Sequence, residues 1–410
     1  MLTKRFAWWA AAVLAVALAL LLAAAGRGAR SPDVPAPPAP PPVTALASFG
    51  AAAAAAAPSL PAKVPRAQLL KQYRLAEHTL CSYEQASQYP PGSRPMAQNP
   101  DQAFPNRAVM ESNPMRLDGG GLDAKVNLQT AQSRVYMATG ETATFSLRAV
   151  DTEGSPVPLV ITRAAAGALQ AVTAGDGAAR PLAEVTLAFA EDGQGAMTGV
   201  LAPAQTGLAS FDGTIRTQVE YTAGGKSGMI TFDVVYSPVT PAVWTGAART
   251  AQAGGALAFY LPADVREAGR YIVTGRVDDA VGVPFALLTF NDVLPVGQHE
   301  VRLTAFGKLL RDGAPALPLT LRDVDGYLLR ENAAPDRALM PRLAGAVATS
   351  GAWPLSSFSA APYDGEERRR YLAEFGRDVA RARGALLRDD PVGLVPASSC
   401  VPATSVKGVP

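Results

Sequence analysis

The hydrophobic period of this chain changes twice. Between residues 66 and 88, Leu69, Tyr73, Leu80 and Tyr83 recur at helical spacing with Cys81 beside them, which predicts a short amphipathic helix. Residues 89–121 are broken by Pro, Asn and Gly and predict an irregular segment wrapping the domain that follows. From residue 122 the period becomes two. VNLQT, SRVYMA, ETATFSLRAV, PLVITRA, AEVTLAFA, MTGVLAPA, TIRTQVEYTA and GMITFDVVYSP alternate apolar and polar positions between turn residues, which predicts an antiparallel sandwich over 122–240. A second such block over 241–345 contains ALAFYLP, GRYIVTGRV, PFALLTFNDVL, HEVRLTAFG and LPLTLRDVDGYLL. The pattern then dissolves across a tail, 346–410, that holds one helix at 364–388. Asp364 and Glu367 form a capping-box pattern there, and Glu366 and Glu367 suit the positive end of the helix dipole. Tyr371, Leu372, Phe375, Val379 and Leu386 make an apolar stripe expected to pack on the β domain. Arg381, Arg383 and Arg388 lie near its end, a basic face that could instead meet lipid or a partner.

Two connections between strands share one pattern. RAVDTEGSPVPL (148–159) and RVDDAVGVPFAL (276–287) both read R-x-x-D-x-x-G-x-P-x-x-L. Asp151 and Asp279 suit a turn cap, Gly154 and Gly282 supply permissive backbone, and Pro156 and Pro284 open the return strand where no ladder N–H is needed. In this D-x-x-G-x-P hairpin the chain resembles bacterial immunoglobulin-like repeats. The second block also resembles the β-sandwich module of choice-of-anchor-type exported bacterial proteins. Gly269, Tyr271, Val273, Val277 and Asp279 match one of its strands, and Gly297, His299, Val301, Leu303, Phe306 and Gly307 match another, with Ala305 inserted. The resemblance implies a mainly β chain of two tandem Ig-like sandwiches in an exported protein, and it brings no catalytic residues.

The N-terminus changes the picture from fold to location. Lys4 and Arg5 precede an uncharged run from Phe6 to Gly26, about 30 Å as a helix, which matches a bilayer core. This exceeds a secretory h-region of about 7–15 residues, so residues 1–30 are expected to be an uncleaved signal anchor, with cleavage and secretion as the alternative. The basic N-terminus favours the cytoplasm, placing the body in the periplasm of a bacterial cell. Residues 31–65, rich in Pro and Ala, form a spacer without a core-building pattern. Cys81 and Cys400 lie at opposite ends of the body, and an oxidising compartment makes them a disulfide candidate. Such a bridge would contribute on the order of 4–5 kcal/mol by the chain-entropy account.

Charge excludes more than it suggests. Lys+Arg 37 against Asp+Glu 35 gives a net charge of +2 over 410 residues, so nothing draws the chain to nucleic acid. Its two histidines, His78 and His299, stand in no H-E-x-x-H pattern, and there is no G-x-S-x-G or phosphate loop. No catalytic residue and no cofactor are assigned. Asp278, Asp279, Asp323 and Asp325 are the oxygen donors most suited to calcium, though Arg276, Arg311 and Arg322 are alternative partners. Trp353, Phe358 and Tyr363, with Trp244 near the domain junction, are candidate binding aromatics; packing on the sandwich edge is the other reading. The expected function is therefore non-enzymatic: an envelope protein whose sandwiches meet a protein or glycan partner. The alternatives are an exported enzyme of unrecognised motif, or a calcium-stiffened spacer.

Overall fold

A computed structural model describes residues 64–117, 119–169, 184–392 and 394–396. The expected anchor (1–30), the expected spacer up to residue 63, and Cys400 lie outside them. The described chain is mainly β, and it opens with helix α1 (Arg66–Ala86). Residues 89–121 differ from the irregular wrap the composition suggests. They supply β1 (Ser93–Pro95) to the second sandwich and β2 (Val109–Arg116) to the first. The segment between them is a strap that ties both sandwiches together.

The first sandwich contains β3 (Leu122–Gln132), β4 (Tyr136–Ala138), β5 (Ala143–Asp151), β6 (Pro156–Val157), β7 (Leu159–Ala168), β8 (Val185–Thr186), β9 (Phe189–Glu191), β10 (Met197–Leu201), β11 (Gly213–Ala223) and β12 (Lys226–Ser237). One sheet runs β2-β3-β5-β10-β9, and the other β4-β12-β11-β7-β8. Counting β3 as strand A, these are the A-B-E-D and G-F-C-C′ faces of an immunoglobulin-like domain, with β4 joining β12 in parallel. Strand β11 shows why alternation encodes it: Ile215, Thr217, Val219, Tyr221 and Ala223 all point inward. They meet Phe145, Leu147, Leu201, Val234 and Tyr236 in one core. Phe145 stacks on Phe232 at 4.7 Å.

The second sandwich has β13 (Ala242–Trp244), β14 (Arg249–Ala253), β15 (Ala256–Val265), β16 (Gly269–Asp278), β17 (Pro284–Leu294), β18 (Gly297–Ala305), α2 (Gly307–Gly313), β19 (Thr320–Leu329), β20 (Arg337–Leu339) and β21 (Leu343–Thr349). β15 pairs with β18 and with β13 and β14, while β1-β17-β16-β19 and β20 or β21 form the facing sheet. Phe259, Tyr271, Val273, Leu288, Leu303, Leu321 and Val324 fill the space between. The sandwich extends past the expected limit of 345. Strand β21, LAGAVAT, was hidden because alanines and a glycine give no contrast between its faces.

The repeated loops are hairpin turns. The Asp151 carboxylate accepts the N–H groups of Glu153 and Ser155, and Asp279 accepts those of Val281 and Val283. Gly154 and Gly282 sit at φ +84° and +83°, the left-handed region that closes such a turn. Asp192 repeats the arrangement with Gln194 and Ala196 around Gly195, without the flanking Arg, Pro and Leu.

Helix α3 (Glu366–Asp389) corrects two expectations. Its cap residue is Gly365 with no side-chain cap, and Asp364 instead pairs with Arg369 at 3.1 Å, so the capping box does not form. Its apolar stripe packs on α1 rather than on the β domain. Tyr83 meets Tyr371 and Phe375 edge-on at 5.6 and 5.3 Å, and Arg66 pairs with Asp390 at 3.5 Å at the opposite end. Two matching helical stripes satisfy one another as an antiparallel hairpin.

Candidate functional site

The four acidic candidates do not converge. Asp279 caps its own turn. Asp278 takes Arg322 Nε at 2.5 Å, Asp323 takes Arg322 Nη1 at 2.8 Å, and Asp325 pairs with Arg276. Among the described residues no group of three or more His, Cys, Asp or Glu is placed to hold a metal ion. Arg311, the third alternative partner, reaches the Leu355 carbonyl instead.

This arginine lattice grips the strap. Arg276, 2% exposed, donates to the carbonyls of Gln102 and Asp323, and Arg322 donates to that of Ala103 at 2.8 Å. Asn106 reaches Asp323 at 2.8 Å. Asp323 sits on a β-bulge with φ +47°, a conformation that turns its carboxylate toward Asn106 and the Gly345 N–H. Beside it, a cleft of about 400 Å³ between the sandwiches is lined by Tyr136, Glu141, Arg276, Asp325, Arg337 and Arg342. The Arg337 guanidinium lies between the rings of Tyr136 and Tyr327, at 4.7 and 4.8 Å, so those faces are already occupied.

The histidines stand on separate elements. His78 is exposed on α1 near Ser82 Oγ at 3.4 Å, and half-buried His299 lies on β18 opposite Ala263 with Nε2 unpartnered. Neither has a carboxylate hydrogen-bonded to it among the described residues, so no oriented base is assembled.

The three candidate aromatics separate as well. Phe358 is 3% exposed and belongs to the second core, which corrects its reading as a binding residue. Trp353 packs against that core under Gly351, and Trp244 donates to the Pro341 carbonyl at 2.8 Å. Tyr363 alone lines an open groove, of about 430 Å³, where the helical hairpin meets the second sandwich. Tyr83, Tyr89, Pro90, Pro91 and Pro95 form its apolar lining, with Arg94, Gln98, Asn99, Glu367 and Arg368 as polar groups. The Tyr363 N–H donates to the Gln88 carbonyl, and its ring meets Phe306 edge-on at 6.4 Å, which fixes it. Tyr89 donates to Asp312 at 2.9 Å. Burial raises the Tyr89 pKa, with Asp312 adding to it; burial and then Glu367 do the same at Tyr83. Both shifts favour the neutral phenol at Tyr83 and Tyr89. Its YPPGSRP rim carried a signal, an aromatic beside prolines and an arginine, but the loop it closes on lies more than 260 residues away in sequence.

The chain is thus a mainly β protein of two β-sandwiches, the first Ig-like in its strand order, with a helical hairpin. No family model matches it, and no curated protein does. Among solved structures it is similar to a DUF4785 family protein of Legionella pneumophila, at 13% identity and TM-score 0.36, over 54% of this chain and 57% of that one. It also aligns over 60% of its length with 15% of Escherichia coli alpha-2-macroglobulin, at 14% identity and TM-score 0.27. A third alignment, with the Yersinia pseudotuberculosis adhesin InvE, covers 52% of this chain and 58% of that one at 14% identity and TM-score 0.17. The chain spans less than two thirds of each. With superpositions this loose, the Ig-like assignment rests on the strand pairing within the chain itself.

Proposed function

We propose that this protein is a non-catalytic component of a bacterial envelope, anchored in the inner membrane by residues 1–30, whose periplasmic body docks a protein partner. The observation that carries the reading is the Tyr83–Tyr89–Tyr363 groove, which offers fixed aromatic rings and polar groups at a junction of elements but no nucleophile–base pair. Its chemistry is that of recognition. The resemblance to exported Ig-like and choice-of-anchor modules supports the location. Cys81 and Cys400 are proposed to pair there. Asp390 lies at the Arg66 end of the hairpin, and Cys81 is fifteen residues along α1, about 22 Å. Ten extended residues span about 33 Å, enough for the tail to return. No calcium enters the proposal, because arginines already neutralise Asp278, Asp323 and Asp325.

The test is a photo-crosslinking residue at position 363 of the full chain in cells, with exposed position 122 as control. One envelope protein captured at 363 and not at 122 supports the reading. No capture at 363, or a hydrolytic activity abolished by His299→Ala, overturns it. Non-reducing peptide mapping is expected to show the Cys81–Cys400 bridge, and an alkaline carbonate wash is expected to leave the chain with the membranes.

A further inference from the structure

The groove is electrostatically incomplete. Both Arg94 and Arg368 line it. Arg94 Nε donates to the Pro91 carbonyl, and Arg368 Nε to Ser87 Oγ, each at 3.2 Å. These bonds fix each side chain while leaving the Nη groups uncommitted. Several other arginines of this fold carry carboxylates, among them Arg249 with Glu300, Arg276 with Asp325, Arg322 with Asp278, and Arg330 with Asp212. Among the described residues, Arg94 and Arg368 have no ion-pair partner. Two guanidiniums against the single carboxylate of Glu367 leave the groove with an excess of positive charge.

We infer that the groove takes an extended acidic peptide segment of a partner protein. The inference rests on the groove being the docking site proposed above. A carboxylate of that segment completes Arg94 and Arg368, since a planar guanidinium binds a carboxylate through two parallel N–H donors. The rings of Tyr83, Tyr89 and Tyr363 hold flanking proline or apolar side chains, as aromatic-lined grooves do for extended peptides. Gln98 and Asn99 offer amides matched to a peptide backbone. Glu367 disfavours a second carboxylate beside it, so acidic residues alternate with apolar ones in the preferred ligand.

The probes are fluorescein-labelled (Glu-Pro)4, its (Gln-Pro)4 counterpart, and an oligogalacturonate as the acidic glycan arm, all titrated against the purified full chain. Expected is binding of (Glu-Pro)4 that weakens as salt rises, with (Gln-Pro)4 at least tenfold weaker. Arg94→Gln and Arg368→Gln each weaken it about tenfold while leaving the melting temperature unchanged, because neither removes a carboxylate partner. Arg94→Lys restores it only in part. Equal binding of the two peptides, binding unaffected by either Gln substitution, or preference for the oligogalacturonate overturns the inference. Failure of both peptides with crosslinking at 363 intact removes the acidic ligand class and leaves the docking reading standing.

Discussion

Arg330 Nη1 of the second sandwich lies 2.6 Å from Asp212 Oδ2 of the first. The pair is one of several ties across that junction. The Leu339 N–H reaches Ser237 Oγ at 3.2 Å, and Arg342 Nη2 reaches the Tyr136 carbonyl at 2.9 Å. Chain crosses between the sandwiches twice, through the strap and through residues 238–241, so one orientation is fixed covalently and electrostatically.

Arg330→Ala is expected to cost about 1–2 kcal/mol, because it leaves a partly buried Asp212 whose Oδ1 already lacks a partner. Asp212→Asn should cost less, since the amide carbonyl can still accept the Arg330 Nη1 hydrogen bond and Arg330 keeps partial access to water. Urea unfolding measures both, and small-angle scattering of Arg330→Ala should show a wider spread of sandwich orientations.

Arg276→Met should be the more damaging change, by about 3 kcal/mol. It strands the carbonyls of Gln102 and Asp323 and leaves Asp325 unpaired. Protease cleavage is expected to rise between residues 96 and 108, where the strap loses its grip. Arg276→Lys should not rescue it, because an ammonium on a flexible stem lacks the forked geometry that serves three acceptors.

Stability should fall in acid through a defined set of carboxylates. Lys226 lowers the Asp123 pKa, the N–H groups of Gln194 and Ala196 lower that of Asp192, and Arg337 lowers that of Asp336. At Asp323 burial works the other way, but the Gly345 N–H and Arg322 outweigh it, and the net shift is down. A group depressed in the folded state contributes its full stability above the unfolded value and loses it as pH falls through the folded one. Unfolding free energy should therefore be insensitive to these groups above about pH 5 and decline below about pH 4. Asp323→Asn should flatten that decline in urea titrations at pH 7, 4 and 3.

Gly307→Ala is expected to destabilise by about 1–3 kcal/mol, the range for overpacking. An added Cβ would lie 2.1 Å from the Gly255 carbonyl and 2.8 Å from the Ser359 nitrogen, the two atoms whose hydrogen bond seats the segment carrying Phe358. Loss of Phe358 from the core should appear as a changed near-ultraviolet circular dichroism signal. Gly376→Ala, in open space on α3, serves as the control and should be neutral or stabilising.

The features legible along the chain were local ones. A two-residue period placed β5, β11, β12, β15, β16 and β19, because alternation is written in neighbouring residues and a sheet must bury one face. The D-x-x-G turns were legible for the same reason, since a carboxylate bonding backbone two and four residues on needs no distant partner. The remaining features depend on contacts between segments far apart in the chain. Asp278 drew Arg322 and Asp325 drew Arg276 because strands 44 and 49 residues apart align them, which no spacing along the chain records. Helix α3 found α1 rather than a sheet, Phe358 entered a core rather than a binding face, and residues 89–121 became a strap. The groove formed only where Tyr83, Tyr89 and Arg94 met Tyr363 and Arg368. Hydrophobic period specifies which face of an element is buried but not what covers it, and partner choice follows from the fit of whole surfaces.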